Sequence, residues 1–353
     1  MKVISARSPF QVVINKNDQI ATKVKLHIWN KDVLEPPQPT YTFSEKIASI
    51  TQRETSYNIS PYILEFIKQT QNFYTGFNVI EEADSNWCFA RVKTYYSTNG
   101  VDFDPVDDIL YVCVNGYTLP EEGFNYDICN DEKAVLLANK NITIQHYNPV
   151  YYYNFLCVGD ADDDYVVEYY DKTTLVFTET FLSAGSSNYY NFRIPISLYG
   201  SDSVQIKLGS TLVANFNTQS IEECKYEPVF VAFVNRYGGW QPLMFFKASQ
   251  NSIDTKSTEY KLMPENVNYN YLDGQNKSMN LNGTKTIKCN TGWVDENYDE
   301  LITELLLSDT ILVNYLPATV KTKNVTLGTY LRDKNINYTI EFEYSNNILN
   351  NIV

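Results

Sequence analysis

Three aspartates at alternating positions, Asp160, Asp162 and Asp164, stand in the segment Gly159–Asp171 and match the first three ligand positions of a calcium loop. Asp163 adds a fourth carboxylate to the cluster. The match then ends. Tyr165 occupies the position that needs glycine for a sharp turn, and Asp171 stands where the bidentate glutamate belongs. The segment also runs into a strand pattern rather than a helix, so the plainer reading is a solvated acidic turn. A second cluster, Asp102, Asp104, Asp107 and Asp108, surrounds Pro105 ahead of another strand and reads the same way. The chain has two histidines, His27 and His146. A triad would need one of them beside a nucleophile and an acid, and nothing in the sequence pairs them so. Paired carboxylates for glycoside cleavage stay open, because an acidic chain has Asp and Glu to spare. No dinucleotide fingerprint, phosphate loop or HExxH motif occurs. The expectation is a protein that is not an enzyme, with no catalytic, cofactor-binding or metal-ligating residues and no cofactor.

The elements that would position these residues are strands. Pro228–Lys247 is the most distinctive stretch: the apolar runs Val229–Val234 and Leu243–Phe246 flank Asn235-Arg236-Tyr237-Gly238-Gly239. Such runs around a Gly-rich turn predict a buried hairpin, with the glycines free to take positive φ. Val24, Leu26 and Ile28 alternate with Lys23, Lys25 and His27, the period of a half-buried strand. Tyr338, Ile340, Phe342 and Tyr344 alternate likewise with Thr339, Glu341 and Glu343. Further strands are expected at Phe10–Ile14, Trp87–Tyr96, Ile109–Val114, Tyr165–Tyr170, Tyr189–Ile194 and Val204–Leu208. Ser60-Pro61 marks a helix start, and Glu300–Leu307 reads as a second helix. The fold class expected is mainly β, with tandem β-sandwich-like domains and a few short helices. The boundaries expected are 1–85 for an N-terminal β-rich domain and 86–225 for a central sandwich region. A C-terminal β-rich domain at 226–353 would carry a short helix near 298–308.

Charge narrows the partners. The 353 residues carry a net charge of −14. Attractive binding to nucleic acid needs a basic footprint that displaces counterions, so a nonspecific DNA binder is disfavoured. An acidic wall past which DNA slides would fit. The 29 tyrosines suit strands and amphipathic contact surfaces. Six cysteines at 88, 113, 129, 157, 224 and 289 are widely spaced, with no CxxC pair, and read as reduced, structural thiols. No run approaches the length of a membrane span, and no apolar signal core opens the chain.

The segment Asn235–Lys247 resembles an Asn-Arg-aromatic-Gly-x-Trp…Phe-Phe-Lys signature of virion proteins from phages that infect Bacteroidetes, crAss-like phages among them. Ser8-Pro-Phe-Gln-Val near the start, and Leu306–Tyr315 with Asn335–Tyr344 near the end, are similar to the same proteins. Here Tyr237 fills the aromatic position and Gly239 precedes Trp240. The resemblance implies a structural role in a neck or tail ring around the DNA passage. It implies a homo-oligomer, six- or twelve-fold, in contact with other tail and portal proteins. DNA would be passing cargo only, and no membrane would be involved. The protein would be made in the host cytoplasm and end in the virion. A host-recognition, fibre or baseplate component that binds cell-surface glycan or protein is the alternative. Arg236, Tyr237 and Trp240 are the residues expected to serve packing or subunit contact. Asp102, Asp104, Asp107, Asp108, Asp160, Asp162, Asp163 and Asp164 are the carboxylates expected to face the lumen.

Overall fold

A computed structural model describes residues 2–30, 33–47, 54–69, 81–82, 87–128, 135–136, 141–146, 152–158, 163–182, 189–195, 200–222, 225–262, 272, 274–327 and 335–349. Of residues 69, 81–82, 135–136, 152–158, 189–193 and 335 it describes the backbone alone. The protein is mainly β, with several multi-strand sheets and two α-helices among the described residues, as the alternating patterns predict. By contacts it divides into two compact units, Met1–Ser220 with Val234–Pro242, and Ile221–Phe233 with Leu243–Val353.

The first unit opens with β1 (Lys2–Ser5), β2 (Gln11–Asn15), β3 (Ala21–Trp29), β4 (Tyr41–Lys46) and β5 (Glu54–Asn58). Helix α1 (Ser60–Gln69) and strands β6 (Glu81–Glu82), β7 (Trp87–Ser97) and β8 (Asp104–Val114) follow. Next come β9 (Val135–Leu136), β10 (Asn141–His146), β11 (Tyr152–Val158) and β12 (Tyr165–Asp171). Strands β13 (Thr174–Leu182), β14 (Tyr189–Pro195), β15 (Ser203–Leu208) and β16 (Thr211–Ser220) close the run. They form sheets in the orders β1-β8-β7-β3-β4, β10-β16-β15-β12-β13 and β6-β14-β11-β9, plus the pair β2-β5. The first sheet thus draws strands from both sides of residue 85.

Alternation explains its core. Val24, Leu26 and Ile28 of β3, with Cys88, Ala90 and Val92 of β7, are buried on one face. Val12 and Ile14 of β2, Ile59 just ahead of α1, and Ile63 and Ile67 within it, at a four-residue spacing, cover that face. The Ser60 hydroxyl ties the start of the helix down: it donates to Ser8 O at 2.6 Å and accepts from Phe10 N–H at 2.8 Å. The opposite face packs Val3, Trp87, Val112 and Val114 with Ile128. His27 is buried with Nδ1 3.0 Å from Pro36 O, which makes it a satisfied residue of the sheet.

The second unit is built on β17 (Val229–Val234) and β18 (Trp240–Phe245), whose turn-side residues Val234 and Trp240–Pro242 belong to the first unit, and on β19 (Gln250–Lys261), β20 (Asn276–Asn290) and β21 (Val294–Asp295). Helix α2 (Tyr298–Leu307) and strands β22 (Ile311–Val313), β23 (Leu316–Val320), β24 (Asn335–Ile336) and β25 (Thr339–Asn347) complete it. Its large sheet runs β18-β17-β22-β23-β25-β20-β19. Pro242 sits in β18 at no cost to the ladder, because β18 is an edge strand. Phe245 and Phe342 meet edge to face, with centroids 5.8 Å apart, and Ile340, Phe342 and Tyr338 are buried as their alternation predicts. In α2, Leu301, Ile302 and Leu305 are buried, and Asp299 in the first turn accepts a hydrogen bond from Tyr338 Oη. All twelve residues of β19 are exposed, as are the first six of β20. Among the described residues no helix is long and apolar enough to cross a membrane.

Candidate functional site

The turn of the β17–β18 hairpin is organised by Asn235. Its side chain is fully buried, and both its amide oxygen and its amide nitrogen are hydrogen-bonded. Oδ1 accepts from Tyr237 N–H at 3.0 Å and Gly239 N–H at 2.9 Å, while Nδ2 donates to Gln241 Oε1 at 3.1 Å. The backbone closes the loop with Asn235 N–H to Gly239 O at 2.8 Å and Gly238 N–H to Asn235 O at 3.0 Å. Of the two glycines, Gly238 takes the positive φ, +85°, and Gly239 does not need it.

This tip is held inside the first unit. Tyr117 N–H donates to Arg236 O at 2.8 Å. The Arg236 guanidinium pairs with the Glu122 carboxylate, and both side chains are more than four-fifths buried. Glu122 also accepts Leu119 N–H at 2.6 Å, so one carboxylate fixes its own short turn and the arginine together. Tyr237 packs against the cluster of Val3, Trp87, Val112, Val114 and Ile128, with the Arg236 guanidinium 5.4 Å from its ring centroid. Trp240 is 3% exposed. A Cβ added to Gly238 would lie 2.8 Å from Asn115 N, and one added to Gly116 would lie 2.5 Å from Arg236 O. The two backbones approach so closely that only glycine fits on either side. Asn235, Glu122, Gly116 and Gly238 complete this cluster, and the sequence reading did not single them out for it. Asn235 had a local signal, an asparagine opening a Gly-rich turn. Glu122 had none.

The acidic residues occupy different surroundings. Asp102, Asp104, Asp107 and Asp108 are all exposed. Asp102 accepts from Asn99 Nδ2 at 2.9 Å, and Asp108 pairs with Arg91 Nε at 2.8 Å. The Arg91 guanidinium also reaches Glu35 at 2.5 Å. Asp163 and Asp164 are exposed, and Asp164 O accepts from Gly209 N–H at 2.9 Å. Asp160 and Asp162 lie outside the described residues, so the calcium-loop comparison ends there. Among the described residues no group of three or more His, Cys, Asp or Glu side chains is placed to hold a metal ion.

Asp107 also lines an open groove of about 190 Å3 on the first unit, shared by β1, β2, β7, β8 and the segment near Asn125. Phe10, Val13, Ile109 and Tyr111 supply its apolar surface, and Asp107, Asp127 and Lys2 its charges. Phe10 and Tyr111 meet edge to face at 5.3 Å. Asn125, at φ +58°, holds β2 like a neighbouring strand, accepting Gln11 N–H at 2.7 Å and donating to Gln11 O at 2.8 Å. Asp127 accepts from Val3 N–H at 3.2 Å. Burial, and next the charge of Asp107, push the Tyr111 hydroxyl above its ordinary pKa, so it stays protonated. β1 pairs with β8 only along Tyr111–Val114. Among the described residues, nothing pairs with the Asp104–Leu110 part of β8 on that side.

Cys88 and Cys113 face each other across β7 and β8, and both are fully buried free thiols. Burial, then the hydrogen bond to Cys88, hold the Cys113 thiol well above its ordinary pKa. Cys289 is also free and buried, and burial pushes its thiol up to about 12. Cys129, Cys157 and Cys224 lie outside the described side chains. Neither a scan against protein-family models nor a search of curated proteins finds a match to this chain.

Proposed function

We infer that this chain is a structural subunit of a tailed-phage virion, one of several copies that form a ring around the DNA passage in the neck or tail. The observation that carries the reading is the β19–β20 ribbon. β19 ends the seven-stranded sheet, exposes all twelve residues, and leaves its outer edge without a partner among the described residues. Isolated two-stranded ribbons are marginal in water, and open edges of this length invite another chain. A subunit completed by its neighbours accounts for such an element. Two further features support the reading. The segment that resembles phage virion proteins includes the packed hairpin turn of the first unit. The net charge of −14 suits a wall that DNA passes without sticking.

Native mass spectrometry and negative-stain imaging of the purified protein test this. The expected result is one large closed oligomer with a central hole, built with head-to-tail contacts. A monomer at every concentration tried would overturn the reading. An elongated trimer would favour the host-recognition alternative.

A further inference from the structure

We propose that the outer strand segments of the β19–β20 ribbon of one copy, Lys256–Lys261 with Asn276–Leu281, dock in the acidic groove beside β8 of the next copy. The proposal rests on the ring reading and names the contact that would build the ring.

The ribbon supplies the first half of the argument. β20 pairs with β25 from Thr284 to Asn290, and Asn282 and Gly283 still bond to Leu349 and Ile348, so Ser257–Lys261 and Asn276–Leu281 form a ribbon beyond that support, with Lys256 at its base. Six residues of strand reach roughly 20 Å. Register assigns the faces. Lys256 lies opposite Asn282, Thr258 opposite Met279, and Tyr260 opposite Lys277, across a bulge where Asn280 takes φ +54°. Directly opposed residues, and residues two apart, share a face. One face therefore carries Lys256, Tyr260, Lys277 and Met279, with no carboxylate. Tyr260 is 42% exposed and Met279 46% exposed, apolar surface that none of the described residues covers. Glu259 and Lys261 belong to the other face. From Lys256 to Asn282 the two strands carry three lysines against one glutamate, and the segment that joins them adds Glu265 and Asp273, so the positive character belongs to this one face.

The groove on the first unit has the complementary character. Its floor offers Phe10, Val13, Ile109 and Tyr111, and Val13 is 47% exposed. Asp107 and Asp127 line it, with Lys2 as the single cation among the lining residues. Asp104 lies on the same face of β8 as Asp107, because the bulge between Thr94 and Tyr95 sets Asp107 opposite Thr94 and Asp104 opposite Tyr96. The adjoining edge of β8 is open along Asp104–Leu110 among the described residues. Apolar surface flanked by lysines meets apolar surface flanked by aspartates. Such pairing fixes partner and register and suppresses wrong contacts. The two surfaces are different patches of one chain, so the contact is head-to-tail, as a closed ring requires. This gives Asp104 and Asp107 a task other than facing the lumen.

Charge reversal with mixing tests it. The ribbon variant is Lys256→Glu with Lys277→Glu; the edge variant is Asp104→Lys with Asp107→Lys. All four side chains are exposed, and circular dichroism with a thermal melt checks that each variant folds. Each variant alone is expected to assemble at least tenfold more weakly than the wild type. A one-to-one mixture should restore assembly with the two variants in equal number, because each then has an opposite charge to meet on both sides. In wild-type oligomers, a zero-length carboxyl–amine crosslinker should join Lys256 or Lys277 to Asp104 or Asp107. A wild-type ring with an edge variant that assembles normally, or crosslinks confined to other sites, would overturn this contact and leave the ring reading standing. Folded variants that stay apart when mixed would also overturn it. A wild-type protein that never assembles overturns both.

Discussion

Replacing Gly238 with alanine tests the account of the hairpin tip most directly. Two costs meet at this residue. Its φ of +85° is one that L side chains rarely adopt, worth roughly 1–2 kcal/mol. A Cβ there would also lie 2.8 Å from Asn115 N, 3.1 Å from Asn115 C and 3.1 Å from Val114 Cβ. Two of those neighbours are backbone and cannot swing away, and forced overpacking of this kind costs about 1–3 kcal/mol. Together the loss is about 2–5 kcal/mol. Two other glycines separate the contributions. Gly200 has φ +74° with nothing near its would-be Cβ, so Gly200→Ala should lose only about 1–2 kcal/mol. Gly116 has no positive φ but would place a Cβ 2.5 Å from Arg236 O, so Gly116→Ala isolates the close approach. Trp87 and Trp240 are both buried in the first unit, so urea unfolding followed by tryptophan fluorescence reports on it. With a slope of about 1–3 kcal/mol per molar urea, a 3 kcal/mol loss moves the midpoint down by about 1–3 M. A Gly238→Ala protein that unfolds no earlier than Gly200→Ala would refute the reasoning.

Trp240→Ala should destabilise the first unit by about 3–5 kcal/mol, measured by the same unfolding curve, since its ring is buried. Glu168 gives a pH test: burial pulls its carboxyl up, but hydrogen bonds from Lys207 at 2.5 Å and Tyr170 at 2.5 Å outweigh this and leave it below its ordinary value. The Lys207 ammonium is raised, chiefly by its bond to Glu168. The depressed carboxyl contributes stability above the ordinary carboxylate range that fades as pH falls through its folded value. The raised ammonium contributes below its ordinary value and fades as pH rises through the folded one. Thermal melts should therefore show a plateau between about pH 4.5 and 10, and Lys207→Met should remove about 1 kcal/mol from it and flatten the acid limb. Iodoacetamide should leave Cys88, Cys113 and Cys289 unmodified in the folded protein and modify all six cysteines after unfolding without reductant, read by intact mass. A native crosslink between Cys88 and Cys113 would contradict the free-thiol assignment.

Much of the strand content was legible wherever one face is buried and the other wet. Val24, Leu26 and Ile28 announce β3, and Ile340 and Phe342 announce β25, because burial imposes a period of two. The same logic hides β19 and the start of β20. Both faces there are exposed, so Gln250–Lys261 carries no alternation, and the stretch near 264–284 reads only as polar. Long-range pairing was not legible either. β1 joins β8, and β10 joins β16, as parallel neighbours separated by most of a sheet's length of chain, and nothing local encodes the match. The hairpin was visible from its apolar runs and glycines, but not its anchorage. Glu122 lies 114 residues from Arg236, and an ion pair at that separation leaves no spacing to read. The aspartates of β8 were conspicuous as a run. That β1 stops short and leaves them along an open edge is a property of the fold, not of the run.

The placement of Val234–Pro242 in the first unit, between two stretches of the second, sets an order on synthesis. A ribosome delivers residues 1–220 before the tip that completes their packing. Until Arg236 and Gly238 emerge, Glu122 lacks its cation and the backbone at Asn115 lacks its neighbour. Ile221–Phe233 emerges earlier than the tip yet belongs with Leu243–Val353, which comes last. The nascent chain must therefore hold one segment in reserve while it finishes the unit on either side of it. Neither unit can be released by cutting the chain at a single point, and a message truncated after codon 220 would yield a first unit with its keystone missing.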